Sequence, residues 1–232
     1  EVLRAVDEAI ASNGAALDQI GRTRSAILYA AFEESAWEPV PLGSLGKWQS
    51  GSTPAKGISQ NWGGGIPWIC PRDMKVPLLS KSTETISEHA LGGSCRIAPA
   101  GTLMLVVRGM ILARAVPTAI TTVEAAYNQD IKAFVPNGRA SARFVELCIR
   151  HQEAELLRLV NTATHGTKKL DSDTIAAIPI PLPDAEAQDA LVQTITTLDE
   201  AASDYVAEHQ RLNAIRQGLL RDLFSGRVRV PA

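Results

Sequence analysis

The chain has little of what would place it outside a reducing compartment or inside a membrane. Its three cysteines, Cys70, Cys95 and Cys148, are odd in number and widely spaced. They make neither a disulfide framework nor a paired metal-ligand motif, so a reducing cytoplasm is the default location. No apolar run approaches the roughly 18 residues needed to cross a bilayer, and no signal peptide opens the sequence. Also absent is a Gly-rich strand–helix fingerprint for a nucleotide or methyl donor, and no carboxylates cluster as Mg²⁺ ligands would. Asp171 and Asp173 are close together, but beside Leu170 and Thr174 they read as cap and turn residues. A small-molecule hydrolase would use Cys148 or Ser94 with a histidine; Cys148 and His151 could share a helix face, but a buried thiol beside a surface histidine is the plainer reading. What remains is 232 residues with 45% hydrophobic content, enough for one large domain or one domain plus an extended element.

The net charge of −2 conceals an asymmetry. Residues 45–169 carry 15 Lys and Arg against 8 Asp and Glu, a net of +7, while the remainder carries 8 against 17, a net of −9. A basic block between acidic ends points to a polyanion that touches the middle of the chain.

Those ends repeat one another. At an offset of 192 residues Asp7-Glu8-Ala9 falls on Asp199-Glu200-Ala201, Ile20 on Leu212, Arg24 on Arg216, Ile27-Leu28 on Leu219-Leu220 and Phe32 on Phe224. The repeat brackets a different central block, and it predicts a second such block before residue 1 or on a second chain. Residues 1–34 have heptad spacing through Leu3, Val6, Ile10, Leu17, Ile20, Ile27 and Ala31, with Asn13 and Arg24 filling seam positions. Leu191, Ile195, Leu198, Ala202, Tyr205, His209, Leu212, Leu219 and Leu223 repeat the rhythm near the end. Each copy predicts a helix of roughly 45–57 Å. Two such narrow seams are expected to pair antiparallel about a pseudo-two-fold axis; the other arrangement packs each helix separately on the central block.

Pro39 and Pro41 end the first helix and open a block punctuated by Gly and Pro, with short apolar runs at 66–69, 102–107 and 115–123. Residues 143–160 have helical spacing, and Ile178-Pro179-Ile180-Pro181-Leu182-Pro183 is extended. Asp184 is a candidate N-cap for the last helix. The fold class is therefore α+β: an irregular β-rich domain with packed helices over 37–183, and long coiled-coil helices over 1–36 and 184–232.

Five local signatures occupy the middle. Gly51-Ser52-Thr53-Pro54 with Lys56 is a small-residue turn that suits a phosphate oxygen and equally an ordinary bend. Asn61-Trp62-Gly63-Gly64-Gly65-Ile66-Pro67-Trp68-Ile69 leads to Arg72-Asp73, where Arg72 is either a base reader or the partner of Asp73. Val107-Arg108-Gly109 ends an apolar strand, Tyr127-Asn128-Gln129-Asp130 sets two amides together, and His165-Gly166-Thr167-Lys168-Lys169 concentrates positive charge in a loop.

Taken in order, and flanked by duplicated helices, these residues resemble the target-recognition domain of a type I restriction–modification specificity subunit. The resemblance covers nearly the whole chain, from Leu42-Gly43 to Leu223-Phe224-Ser225-Gly226; Glu186-Ala187-Gln188 departs slightly from the Glu-Gln usual at the last helix. It implies a non-catalytic subunit that reads one half of a split site in double-stranded DNA, with the helices fixing the gap. It implies methyltransferase subunits docked on that scaffold, motor-nuclease subunits for cleavage, and S-adenosylmethionine, ATP and Mg²⁺ carried by those partners. The chain looks like the C-terminal half of such a subunit, or a half-subunit that homodimerises.

Base edges in the major groove are read by Arg on guanine and Asn or Gln on adenine, while Lys, Ser and Thr hold phosphates. Phosphate candidates are Ser52, Thr53, Lys56, Thr167, Lys168 and Lys169; base-reading candidates are Arg72, Arg108 and Arg114. His165 is read as a structural cap or phosphate contact. Asn128 and Gln129, which recur in the family, are expected to brace a turn. The alternative function is a coiled-coil adaptor whose central block binds protein without reading DNA.

Overall fold

The computed structural model describes residues 1–92, 95–163, 166–225 and 227. They form two compact units, one made of Glu1–Ser35 with Ala190–Ala232 and one of Ala36–Asp189.

The terminal unit is a helix pair. Helix α1 (Val2–Tyr29) runs 28 residues and ends in a single π turn, Ala30–Glu34. Its partner is α5 (Ala185–Phe224), 40 residues long. Asp184 Oδ1 accepts from Ala187 N at 2.9 Å and so satisfies one of the first-turn donors of α5. The pair is antiparallel: Arg216 Nε lies 2.6 Å from Asp7, His209 Nδ1 3.1 Å from Asn13 and Arg24 Nε 2.7 Å from Asp199. Asn13 and Arg24 are the two polar interruptions of the apolar seam, and each meets a polar residue from the other helix. Tyr205, a seam position by spacing, is 40% exposed. Among the described residues no helix is long and apolar enough to cross a membrane.

The second unit is built on two sheets. Five strands lie in the order β2 (Gly46–Ser50), β10 (Ile131–Pro136), β7 (Leu103–Val106), β8 (Thr118–Thr121) and β4 (Leu78–Leu79). Only the β4–β8 pairing is parallel. Four further strands lie in the order β5 (Glu84–Ile86), β3 (Trp62–Ile69), β9 (Ala125–Tyr127) and β6 (Ile97–Ala98), with β3 and β9 parallel. The proline-rich ribbon pairs β1 (Pro39–Pro41) with β13 (Pro179–Pro181). Proline donates no ladder hydrogen bond, and the ribbon is closed instead by Leu42 N to Ile178 O and Leu182 N to Glu38 O.

Every residue of β7 is buried, which explains why its sequence is a continuous apolar run and not an alternating one. Helix α2 (Ala142–His151) packs on this sheet through Phe144, Val145, Leu147, Cys148 and Ile149. Ser141 Oγ caps it, accepting from Phe144 N at 3.1 Å. The fully buried Glu146 is held between Arg143 and Arg150, so its charge is compensated.

Two expectations are corrected. The helical stretch expected over 143–160 is two helices, α2 and α3 (Glu153–Arg158), broken at Gln152. Tertiary hydrogen bonds hold the break: Gln152 Nε2 donates to Pro179 O, and Glu153 accepts from Val116 N. The basic segment expected as a loop contains β12 (Lys168–Lys169), which pairs with β11 (Asn161–Thr162) as a small hairpin. Helix α4 (Ser172–Ala177) follows directly.

Candidate nucleic-acid interface

The turn 128–130 joins the candidate residues. Asn128 Oδ1 accepts from Asp130 N at 3.0 Å and Asn128 Nδ2 donates to Asp130 Oδ2 at 3.1 Å, a self-bracing Asx turn. Asn128 N is bound in turn to Ile69 O. From this fixed turn two side chains reach in different directions. Gln129 Oε1 accepts from Thr53 Oγ1 at 2.5 Å, and Asp130 Oδ1 accepts from Arg108 Nε at 2.8 Å.

The Thr53 side of the turn borders a cavity of about 440 Å³ lined by Thr53, Lys56, Trp68, Arg72, Glu84 and Gln129, among others. The first residues of the glycine turn face inward. Ser52 N donates to Tyr127 O, Ser52 O accepts from Trp68 Nε1 at 3.0 Å, and Ser52 Oγ lies against Cys95 Sγ. A Cβ on Gly51 would sit 2.2 Å from Tyr127 O, so glycine is required for this close approach. Thr53 and the exposed Lys56 are left at the rim. Trp68 is 4% exposed and meets Trp62 edge-on at 5.1 Å, forming a floor with Ile86 and Cys70. Burial pushes the Cys70 thiol up to about 12, helped by the carboxylates of Asp73, Glu84 and Asp130 and opposed by Arg72.

Arg72 pairs with Glu84 and not with Asp73. The Asp73 carboxylate is engaged elsewhere, accepting from Cys70 N (2.9 Å), Thr83 N (2.9 Å) and Thr83 Oγ1 (2.5 Å). Of the two roles open to Arg72, partner of Asp73 is therefore excluded.

The Arg108 side of the turn continues into the small hairpin. Arg108 and Lys169 form a backbone bridge, Gly109 N donates to Lys168 O and Leu170 N to Val107 O. Gly109 has φ +135°, a conformation open to glycine. Lys168 Nζ binds Thr162 Oγ1 at 2.8 Å, Lys169 Nζ lies 2.7 Å from Asp171, and Thr167 O accepts from Ala163 N. Hydrogen bonds from Lys169 and Asn161 hold the Asp171 carboxyl below its ordinary value. Arg114 is exposed, just after the 3-10 turn Met110–Ala113 that packs on β12. His165 lies outside the described residues, as does Ser94.

One string of contacts thus runs from Thr53 through Gln129 and Asp130 to Arg108, Lys168 and Lys169, and Lys56 and Arg72 line the cavity at its near end. Arg114 adjoins its far end; Ser52 is drawn into the structure beneath it. Sequence reasoning missed the carboxylates of this string. Asp130 follows directly on the paired amides and is recognisable as a turn partner, whereas Glu84 sits in a polar Ser/Thr stretch with nothing to mark it.

The charge contrast also changes when it is counted over the two compact units. The unit Ala36–Asp189 holds 15 Lys and Arg against 14 Asp and Glu, a net of +1, and the helix pair 8 against 11, a net of −3. Glu38, Asp171, Asp173, Asp184, Glu186 and Asp189 fold with the basic block, so positive charge is local and not a property of the whole unit. Cys148 is fully buried and its thiol is raised well above its ordinary value by burial, which removes it as a nucleophile. Among the described residues no group of three His, Cys, Asp or Glu is arranged to hold a metal ion.

Residues 34–217 match the family described as type I restriction modification DNA specificity domain. The chain belongs to this family. A relative of this specificity domain, a type I restriction enzyme specificity subunit from Escherichia coli, is 31% identical over 195 residues, covering 83% of this chain and 46% of that protein. Another from Methanocaldococcus jannaschii is 25% identical over 193 residues, covering 81% and 44%. The specificity domain therefore spans about half the length of the curated relatives it matches. The crystal structure of an HsdS subunit from Thermoanaerobacter tengcongensis has the same fold, with a TM-score of 0.69 at 17% identity over 98% of this chain and 56% of that one.

Proposed function

We propose that the unit Ala36–Asp189 reads one half of a bipartite sequence in double-stranded DNA. The paired α1 and α5 helices then act as a spacer and as a docking surface for DNA methyltransferase subunits. On this reading the chain is the non-catalytic specificity component of a type I restriction–modification complex in the cytoplasm, joined by motor-nuclease subunits for cleavage. S-adenosylmethionine, ATP and Mg²⁺ belong to those partners. Family membership supports the reading, and one observation carries its location. The braced turn 128–130 holds Thr53 and Arg108 by hydrogen bonds, Arg108 bridges Lys169 through the backbone, and Lys56 and Arg72 line the cavity on the Thr53 side.

Arg72, Arg108 and Arg114 are the proposed base readers; Thr53, Lys56, Thr167, Lys168 and Lys169 are the proposed phosphate contacts, and His165 is a further candidate for that role. Ser52 contributes mainly by fixing the turn. A bipartite target needs a second reader, supplied by a further recognition domain or by a second copy of this chain. The 40 residues of α5 reach about 60 Å, the length of roughly 18 base pairs.

Single-molecule sequencing of methylated DNA from cells carrying the system is expected to report a split motif with a fixed gap. A continuous palindrome, or methylation unaffected by deleting this chain, would overturn the reading in favour of an adaptor role.

A further inference from the structure

We propose that Arg72 and Glu84 together read one C·G base pair, with Arg72 on the guanine and Glu84 on the cytosine amino group. This rests on the DNA-reading function above and names part of its target. The two side chains close one wall of the cavity that Thr53, Lys56 and Gln129 also line. They are 52% and 47% exposed, so their ion pair adds little to folding in water.

The backbone beneath them, in contrast, is tied from several sides. Asp73 ties Cys70, two residues before Arg72, to Thr83, the neighbour of Glu84. Ser82 Oγ accepts from Trp68 N at 3.0 Å and donates to Glu84 O at 2.6 Å. Two opposite, solvent-exposed charges, paired only with each other on an anchored backbone, are the arrangement a precise reader requires.

A carboxylate at a DNA-contacting surface needs a reason, because phosphates repel it. Its favourable partner in the major groove is an exocyclic amino group, and cytosine N4 presents one. The guanidinium beside it matches the O6 and N7 acceptors of guanine. A single C·G pair presents all three groups along one edge. Exchanging the ion pair for that edge leaves neither charge unpaired. A thymine would set its O4 against the carboxylate, and reversing the pair would set guanine O6 there.

The test uses the full chain assembled with its methyltransferase subunits and a pool of randomised duplexes. The wild type is expected to select a motif containing a C·G pair. Glu84→Gln and Arg72→Gln should each relax preference at that one base pair about tenfold or more while other positions persist. The exchange variant R72E/E84R keeps an ion pair and should not restore the preference. The inference is overturned if the single variants leave every position unchanged, if they weaken all sequences equally, or if the exchange restores wild-type selectivity. A wild type that selects no motif at all overturns the DNA-reading function itself, a result distinct from these.

Discussion

At the scale of single residues, Cys70 shows how the floor of the cavity depends on a group staying neutral. Its N–H is held by Asp73 and its side chain packs with Trp68, Ile86 and Ala126. Burial raises the thiol from 9.0 to about 12 in the folded chain. Between those values the unfolded chain releases the proton and the folded chain keeps it, so stability is full below pH 9 and falls as pH rises toward 12. The slope is at most about 1.4 kcal/mol per pH unit, because unfolding changes the number of bound protons at this site by at most one. Cys148 and Tyr127 are raised by burial as well and add to the same alkaline limb. Urea midpoints in reducing buffer at pH 7, 9 and 10 are expected to show wild type losing stability faster than Cys70→Ala. A difference between the two that stays constant with pH would mean that the Cys70 thiol does not ionise on unfolding.

At the scale of elements, the helix pair carries its ancestry in its ion pairs. The 192-residue offset maps Asp7 onto Asp199 and Arg24 onto Arg216, and the structure joins Asp7 to Arg216 and Arg24 to Asp199. The two bridges are therefore one contact used twice about a pseudo-two-fold axis. They differ in burial: Arg24 and Asp199 are 24% and 34% exposed, Arg216 and Asp7 44% and 48%. Arg24→Asp should therefore cost roughly 1 kcal/mol and Arg216→Asp a few tenths, with R24D/D199R recovering most of the larger loss. Circular dichroism at 222 nm during urea titration measures this; failure of D199R to rescue R24D would break the pairing. The seam and its antiparallel sense were legible in the sequence because heptads and repeats are local patterns. The break at Gln152 was not, since the bonds to Pro179 and Val116 that hold it come from distant segments.

At the scale of the whole molecule, the same limit governs the candidate interface. Basic residues and amides were visible as types, but Glu84 and Asp130 became their partners only when strands far apart in sequence were laid together. That partnering changes the electrostatics. With the unit at +1 overall and Arg72, Arg108 and Lys169 each beside a carboxylate, Lys169 reaches phosphate only in exchange for Asp171, and the attraction falls most heavily on Lys56 and Lys168. Among the described residues, Lys56 is exposed at the cavity rim and Lys168 binds only the Thr162 hydroxyl. Each phosphate neutralised contributes about 0.9 to the slope of log affinity against log salt. Lys56→Gln with Lys168→Gln should therefore reduce that slope by roughly 2 and weaken all duplexes alike, with base preference unchanged. Titrations of one selected and one scrambled duplex across a salt series measure both effects. An unaltered slope would move the phosphate contacts off this string of residues, and a loss confined to the selected duplex would make one of these lysines a base reader.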